Sequence, residues 1–248
     1  MKRIRGLVAG AVLAMALGAV NLPAQDEKSW SMTFSDTFVN KYIWRGQNLA
    51  NTASMQPGMS FTYKGLTLSS WSQFAHTGFG DSGVAGNHWT EHDFTVDYAI
   101  PLTEKISANV GWINYAFPNL SNGRYTNEIY GKVTVDTLLK PTFAVYGDIH
   151  AADGVYYNFG IGHGIPLPKG VALNLSASLG INQQQWIDVT TVSDVILGAS
   201  LALPVSDKVT LSPFWNYITG NDTLRKHGNS GITYFTGHLG GVALAITY

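Results

Sequence analysis

The chain has 248 residues, of which only 12% are charged, 45% are hydrophobic and none is cysteine, and its formal net charge is −1. Soluble domains carry about 25% charged residues, so this composition points away from an ordinary water-facing surface, and the charge balance excludes a nucleic-acid binder. Without cysteine there is neither a disulfide framework nor the lipid-modified thiol of a lipoprotein.

Lys2, Arg3 and Arg5 precede an apolar stretch over 6–20 and a short exit containing Pro23. That stretch falls short of the roughly 20 residues a spanning helix needs, and the pattern is that of a cleavable signal peptide. The expectation is a signal over 1–24, cut after Ala24, and one domain over 25–248. Cleavage removes three of the 15 basic residues and none of the 16 acidic ones, leaving a net charge of about −4. No later run of 18 apolar residues exists, which excludes helical membrane spans.

The remaining chain alternates with period two. Strands present successive side chains to opposite faces, and the pattern predicts twelve. They cover 30–44, 55–63, 66–74, 94–100, 106–112, 128–137, 143–149, 155–165, 171–181, 195–203, 209–217 and 242–248. The clearest has Val171, Leu173, Leu175, Ala177, Leu179 and Ile181 on one face and Asn174, Ser176, Ser178 and Gly180 on the other. An even count is what antiparallel closure with both ends on one side requires. Most segments approach the 9–11 residues that a tilted membrane-crossing strand needs. Links at 64–65, 101–105, 138–140, 166–170 and 204–208 are tight, whereas 77–87, 182–191 and 219–233 are long; 151–154 is the exception on the long side. This is the asymmetry of short periplasmic turns and longer extracellular loops. The reading is therefore all-β, a transmembrane antiparallel barrel of about twelve strands in the outer membrane. Tyr63, Tyr98 and Tyr248 would mark its periplasmic rim, and Tyr42, Trp44, Trp215 and Tyr217 its outer one.

Two residues depart from the alternation. Asp36 falls on the apolar parity of the first strand, which predicts either a bulge that turns it inward or a place near an interface. Trp71 falls on the polar parity, which predicts a place inside the barrel.

His88-Trp89-Thr90-Glu91-His92 matches a zinc-peptidase pattern that works only on a helix, whereas here it runs into a strand. Gly160, Gly162 and Gly164 share one parity, with no helix after them, so a dinucleotide loop is excluded. Ser121–Arg124 and His227–Ser230 place no Ser/His pair on a strand. His76, His88, His150 and His227 share no metal-ligand spacing. No enzyme, cofactor or metal site is expected.

The polar parity carries Lys41, Arg45, Glu91, Asp93, Asp97, Glu128, Lys132, Asp136, Asp148 and Asp194. These are the candidate pore-lining residues, seven acids against three bases, and a wet lumen with that balance favours cations. Lys41 and Arg45 against Glu91, Asp93 and Glu128 form the candidate constriction. A twelve-stranded barrel lies between side-chain-filled and open ones, so a salt-bridged, closed interior is the alternative, with an adhesive, anchoring or lipid-hydrolase role.

Asn40-Lys41-Tyr42-Ile43-Trp44-Arg45-Gly46 resembles the Y-x-W-R-G element of the TorF-type porin family. Glu128-Ile129-Tyr130, the run from Asp136 to Pro141, Tyr146-Gly147-Asp148 and the terminal aromatic are similar to further stretches of that family. The resemblance implies an outer-membrane porin that passes small hydrophilic solutes or ions. It also implies a C-terminal strand, ending at Tyr248, that the barrel-assembly machinery reads, although Ala243 stands where a glycine is common. It carries over no catalytic or ligand-binding residue. The partners expected are membrane lipid, that machinery and small solutes, with no nucleic acid.

Overall fold

The computed structural model describes residues 30–76, 86–119, 124–186, 189–220 and 233–248. The expected signal peptide and the motifs at 121–123 and 227–230 lie outside them.

The described chain forms sixteen strands. They are β1 (Trp30–Val39), β2 (Tyr42–Trp44), β3 (Gln47–Ala50), β4 (Ser54–Met55), β5 (Gly58–Tyr63), β6 (Leu66–Ala75), β7 (His88–Pro101) and β8 (Ile106–Phe117). After them come β9 (Arg124–Val135), β10 (Thr142–Asp148), β11 (Val155–Pro166), β12 (Ala172–Gln183), β13 (Thr190–Pro204), β14 (Val209–Gly220), β15 (Thr233–Tyr234) and β16 (Gly237–Thr247). Each wall strand pairs antiparallel with its neighbours, and β16 returns to pair with β1 from Thr33↔Thr247 to Val39↔Gly241. The sheet therefore closes. β4 and β5 together make one stave, interrupted at Gln56-Pro57, where proline has no N–H to give a ladder. Counting them as one, the barrel has twelve staves.

The alternation in the sequence becomes an inside and an outside. Phe34, Phe61, Leu68, Phe94, Val110, Ile129, Phe159, Leu175, Leu197 and Leu244 all stand exposed on the outer face. An apolar surface that encircles the fold is costly in water and favourable in lipid. β7, β11 and β12 are 14, 12 and 12 residues long, enough to cross a bilayer at a tilt. Trp30, Tyr63, Tyr98 and Tyr248 are exposed at the end that carries the tight turns, where amphipathic rings suit the interface. The tightest turn, Lys64-Gly65, has both residues at positive φ, as a two-residue hairpin of matching twist requires.

The first expected strand is corrected. It ends at Val39 rather than Trp44, because residues 40–53 leave the wall and fold back as a second hairpin, β2–β3, to which β15 adds. Tyr42 and Trp44, expected at an outer aromatic rim, are buried at 2% and 3% exposure. The contacts of this hairpin place it inside the barrel. Tyr42 reaches β7 and packs on Trp71 of β6, while Ile43 packs with Phe214, Ile218 and Leu239 of β14 and β16. Only a segment within the lumen can touch staves on opposite sides. Trp71 faces inward, as its parity predicted. Asp36 does not turn inward: β1 pairs with β16 without a register shift through Asp36↔Leu244, so Asp36 stays on the outer face between Phe34 and Phe38.

Candidate functional site

The hairpin tip is built by Trp44-Arg45-Gly46-Gln47, with Trp44 paired to Gln47 and both central residues at positive φ, 47° and 79°. This is the same turn chemistry as Lys64-Gly65. A Cβ on Gly46 would stand 2.8 Å from the Ser193 carbonyl oxygen, so the tip sits hard against β13 and only glycine fits.

Arg45, projecting from that tip, meets Glu128 of β9 in a two-pronged ion pair, Nη1 to Oε1 and Nη2 to Oε2, both 2.8 Å. The side chains are 6% and 1% exposed. Nη1 also donates to Gln185 Oε1, and Gln185 Nε2 donates to Glu128 Oε1 at 2.8 Å. Tyr115 donates to the other Glu128 oxygen at 2.8 Å. The guanidinium lies 4.3, 4.7 and 4.4 Å from the ring centroids of Trp44, Tyr146 and Tyr156, within cation–π range. Burial works against a charged guanidinium, but the Glu128 carboxylate more than offsets it and holds Arg45 above its ordinary pKa. The arginine is thus a fixed cation, locked by fork geometry to a carboxylate.

On the neighbouring side of the lumen, Tyr42 donates to Glu91 Oε2 at 2.8 Å. Burial first, then the charge of Glu91, pushes the Tyr42 phenol well up, so it keeps the proton that it donates. Asp93, two residues along the same inner face of β7, is buried beside Glu91. The hairpin therefore bridges two carboxylate-bearing staves, β7 and β9, while its other side rests on the apolar patch of Val39, Phe214, Ile218 and Leu239.

The remaining candidate residues are spread out. Lys41 lies at the base of the hairpin, where it donates to Asn51 and sits 5.7 Å from the Phe235 ring, away from the carboxylates. Asp97 accepts from Asn109 at 2.7 Å and from Tyr130. Lys132 pairs in register with Asn109 on the inner face of β9. Asp194 accepts from Ser193 at 2.6 Å and from Tyr156 at 3.2 Å. Asp148 ends β10 and caps the next turn through the amides of His150, Ala151 and Ala152. Asp136 lies past the end of β9, exposed in a turn at the tight-turn end, with Lys140 3.9 Å away. Pattern reading did not find Gln185, Tyr115, Tyr146 or Tyr156. The signal available for the hairpin was Arg45-Gly46, a two-residue turn dipeptide in the middle of an apparent strand.

No family model matches the chain, and no curated protein does either. Among solved structures, a NanC porin matches 87% of this chain and 98% of its own, with TM-score 0.54 and 11% identity. A KdgM porin matches 88% and 99%, with TM-score 0.52 and 11% identity. Another KdgM porin structure, in complex with disordered oligogalacturonate, is 10% identical with TM-score 0.50, over 88% and 99%. The closed twelve-stave wall, its greasy exterior and these likenesses converge. The chain is an outer-membrane β-barrel. Identities this low establish the fold and leave the solute open. Its lumen holds the Arg45 hairpin.

Proposed function

We propose that this barrel is a porin of the TorF type, through which small hydrophilic solutes or ions diffuse passively with a preference for cations, and that it catalyses no reaction. One observation carries the reading. The lumen is crossed by a hairpin of the protein itself, and where that hairpin meets β7 and β9 the described residues include three buried carboxylates, Glu91, Asp93 and Glu128, and the guanidinium of Arg45. A narrow, low-dielectric passage amplifies such an imbalance and admits cations over anions. The oligogalacturonate named for the KdgM structure is a polyanion, and a constriction of this sign repels it. Asp97, Lys132 and Asp194 would line the passage on either side. Asp136 and Asp148, at turns, would act at its mouths. In this reading the barrel-assembly machinery inserts the chain through its last strand and the terminal Tyr248 that follows it.

Planar-bilayer recording of the purified protein tests the proposal. Stepwise currents with a reversal potential shifted toward that of the cation are expected, and silence at every voltage overturns it. The near-complete burial of Arg45 and Glu128 favours a second reading, a barrel held shut by its hairpin that serves in adhesion or anchoring. Silent bilayers, together with binding that depends on the outer loops, would select that reading.

A further inference from the structure

We infer that the five tight turns form a lysine collar that docks on the phosphates of anionic phospholipids in the adjoining leaflet. Each of these turns carries a lysine: Lys64, Lys105, Lys140, Lys169 and Lys208. Each lysine follows closely on an exposed apolar side chain, namely Tyr63, Leu102, Leu138 with Leu139, Leu167 and Val205. Leu138 is 72% exposed and Val205 65%. Aliphatic groups held so far out gain nothing from water. At a membrane interface they reach acyl chains, while the ammonium on its flexible stem reaches back to the headgroup phosphates.

Backbone conformation is the second observation. Lys64, Lys140 and Lys169 have φ of 46°, 39° and 63°, a left-handed conformation that glycine or asparagine adopts more readily. Among the described residues of that end, every non-glycine residue at positive φ is a lysine. The turns therefore keep a lysine where their geometry alone favours another residue. Two of the ammonium groups already stand over the aromatic band. Lys64 Nζ is 5.3 Å from the Tyr63 ring centroid and Lys208 Nζ 4.5 Å from that of Tyr248, and both rings are exposed. Glu104, Asp136 and Asp207 share three of the turns, so the attraction is local, ammonium to phosphate, rather than that of a large net charge. Lys140 lies 3.9 Å from Asp136 with both side chains exposed, a pair that water screens and a phosphate can replace. The collar continues the lipid-facing wall without a break, and that continuity selects lipid over a soluble partner as its occupant.

The full-length barrel in nonionic detergent, titrated with phosphatidylglycerol or with phosphatidylcholine of the same acyl chains and read by native mass spectrometry, tests the collar. Phosphatidylglycerol should bind roughly tenfold more tightly. Lys64→Gln, Lys105→Gln, Lys140→Gln, Lys169→Gln and Lys208→Gln combined should abolish that preference, whereas arginine at the same five positions should keep it. Far-UV circular dichroism establishes that each variant is folded. Equal affinity for the two lipids in the wild type, or an undiminished preference in the glutamine variant, overturns the collar. Depth is read separately. The chain has no native cysteine, so Leu138→Cys takes a single fluorophore. In vesicles containing phosphatidylglycerol its emission should be quenched severalfold more by a brominated lipid than by aqueous iodide. The reverse order would overturn the docking and assign the exposed aliphatic groups to a soluble partner. Neither readout involves current, so a failure here leaves the porin reading standing.

Discussion

Replacing Glu128 by Gln keeps the shape of the side chain and removes its charge, which isolates what holds the hairpin inside the barrel. In the wild type both Glu128 oxygens accept from Arg45 at 2.8 Å, and the guanidinium is 6% exposed. With glutamine there, a buried cation faces an amide that offers one acceptor and turns a second donor toward it. Removing one partner of a buried, hydrogen-bonded ion pair costs about 3–5 kcal/mol. At a factor of ten for each 1.4 kcal/mol, that lowers the hairpin docking equilibrium by roughly two to three and a half orders of magnitude. The absence of native cysteine makes undocking easy to read. Ala50→Cys places a thiol on β3 at a position with no exposure, so a membrane-impermeant maleimide reacts only when the hairpin leaves. With opening fast relative to labelling, the rate follows the open population. Glu128→Gln should raise it at least a hundredfold. Arg45→Gln should do likewise, and the double variant should be no worse than either single one. Arg45 has φ 47°, and glutamine there carries the same left-handed backbone cost as arginine, so the cycle reads the side-chain pair. Labelling within threefold of wild type in Glu128→Gln would refute the idea that this pair is the latch.

Other outcomes follow from the same geometry. Gly46→Ala forces a Cβ to within 2.8 Å of the Ser193 carbonyl at a φ of 79°, a strain of about 1–3 kcal/mol, and it should raise the same labelling rate without altering barrel closure. Phe159→Arg puts a charge on the lipid-facing side of β11 and should destabilise the barrel in vesicles by about 2–4 kcal/mol if the residue sits near mid-bilayer. Ser176→Arg, on the inner parity of β12, should cost far less, and equal losses in urea titrations would mean the faces are assigned the wrong way round. Asp36→Leu removes a carboxyl whose Oδ1 is buried without a partner on the outer face and should stabilise the barrel by about 1–2 kcal/mol; a loss of stability would show that Asp36 has a partner in the membrane.

Much of the wall could be read from residue order alone because period-two alternation and turn dipeptides are local signals. Lys64-Gly65 between two alternating runs announced a hairpin, and the register Tyr63↔Leu66 shows one. Arg45-Gly46 carries the same chemistry yet went unread, since Phe34, Phe38, Tyr42 and Trp44 continue the apolar parity as though the strand had not stopped. Parity reports which residues share a face, but not whether the strand is still in the wall. The site shows the same limit. Arg45 and Glu128 were both candidates, but their partner Gln185 lies in the turn after β12, 57 residues beyond Glu128 in sequence, with no periodicity to single it out. Asp136 shows that pattern does not fix a strand end: the alternation runs on to it, but β9 ends one residue earlier, at Val135.

The central claim is that this barrel is narrowed from within by its own hairpin. Its most direct test is single-channel conductance in planar bilayers with residues 40–53 replaced by a short Gly-Ser linker that still joins β1 to β4. The account predicts a folded barrel with severalfold larger current steps than wild type and a weaker preference for cations. Equal conductance and equal selectivity in the two proteins would contradict it.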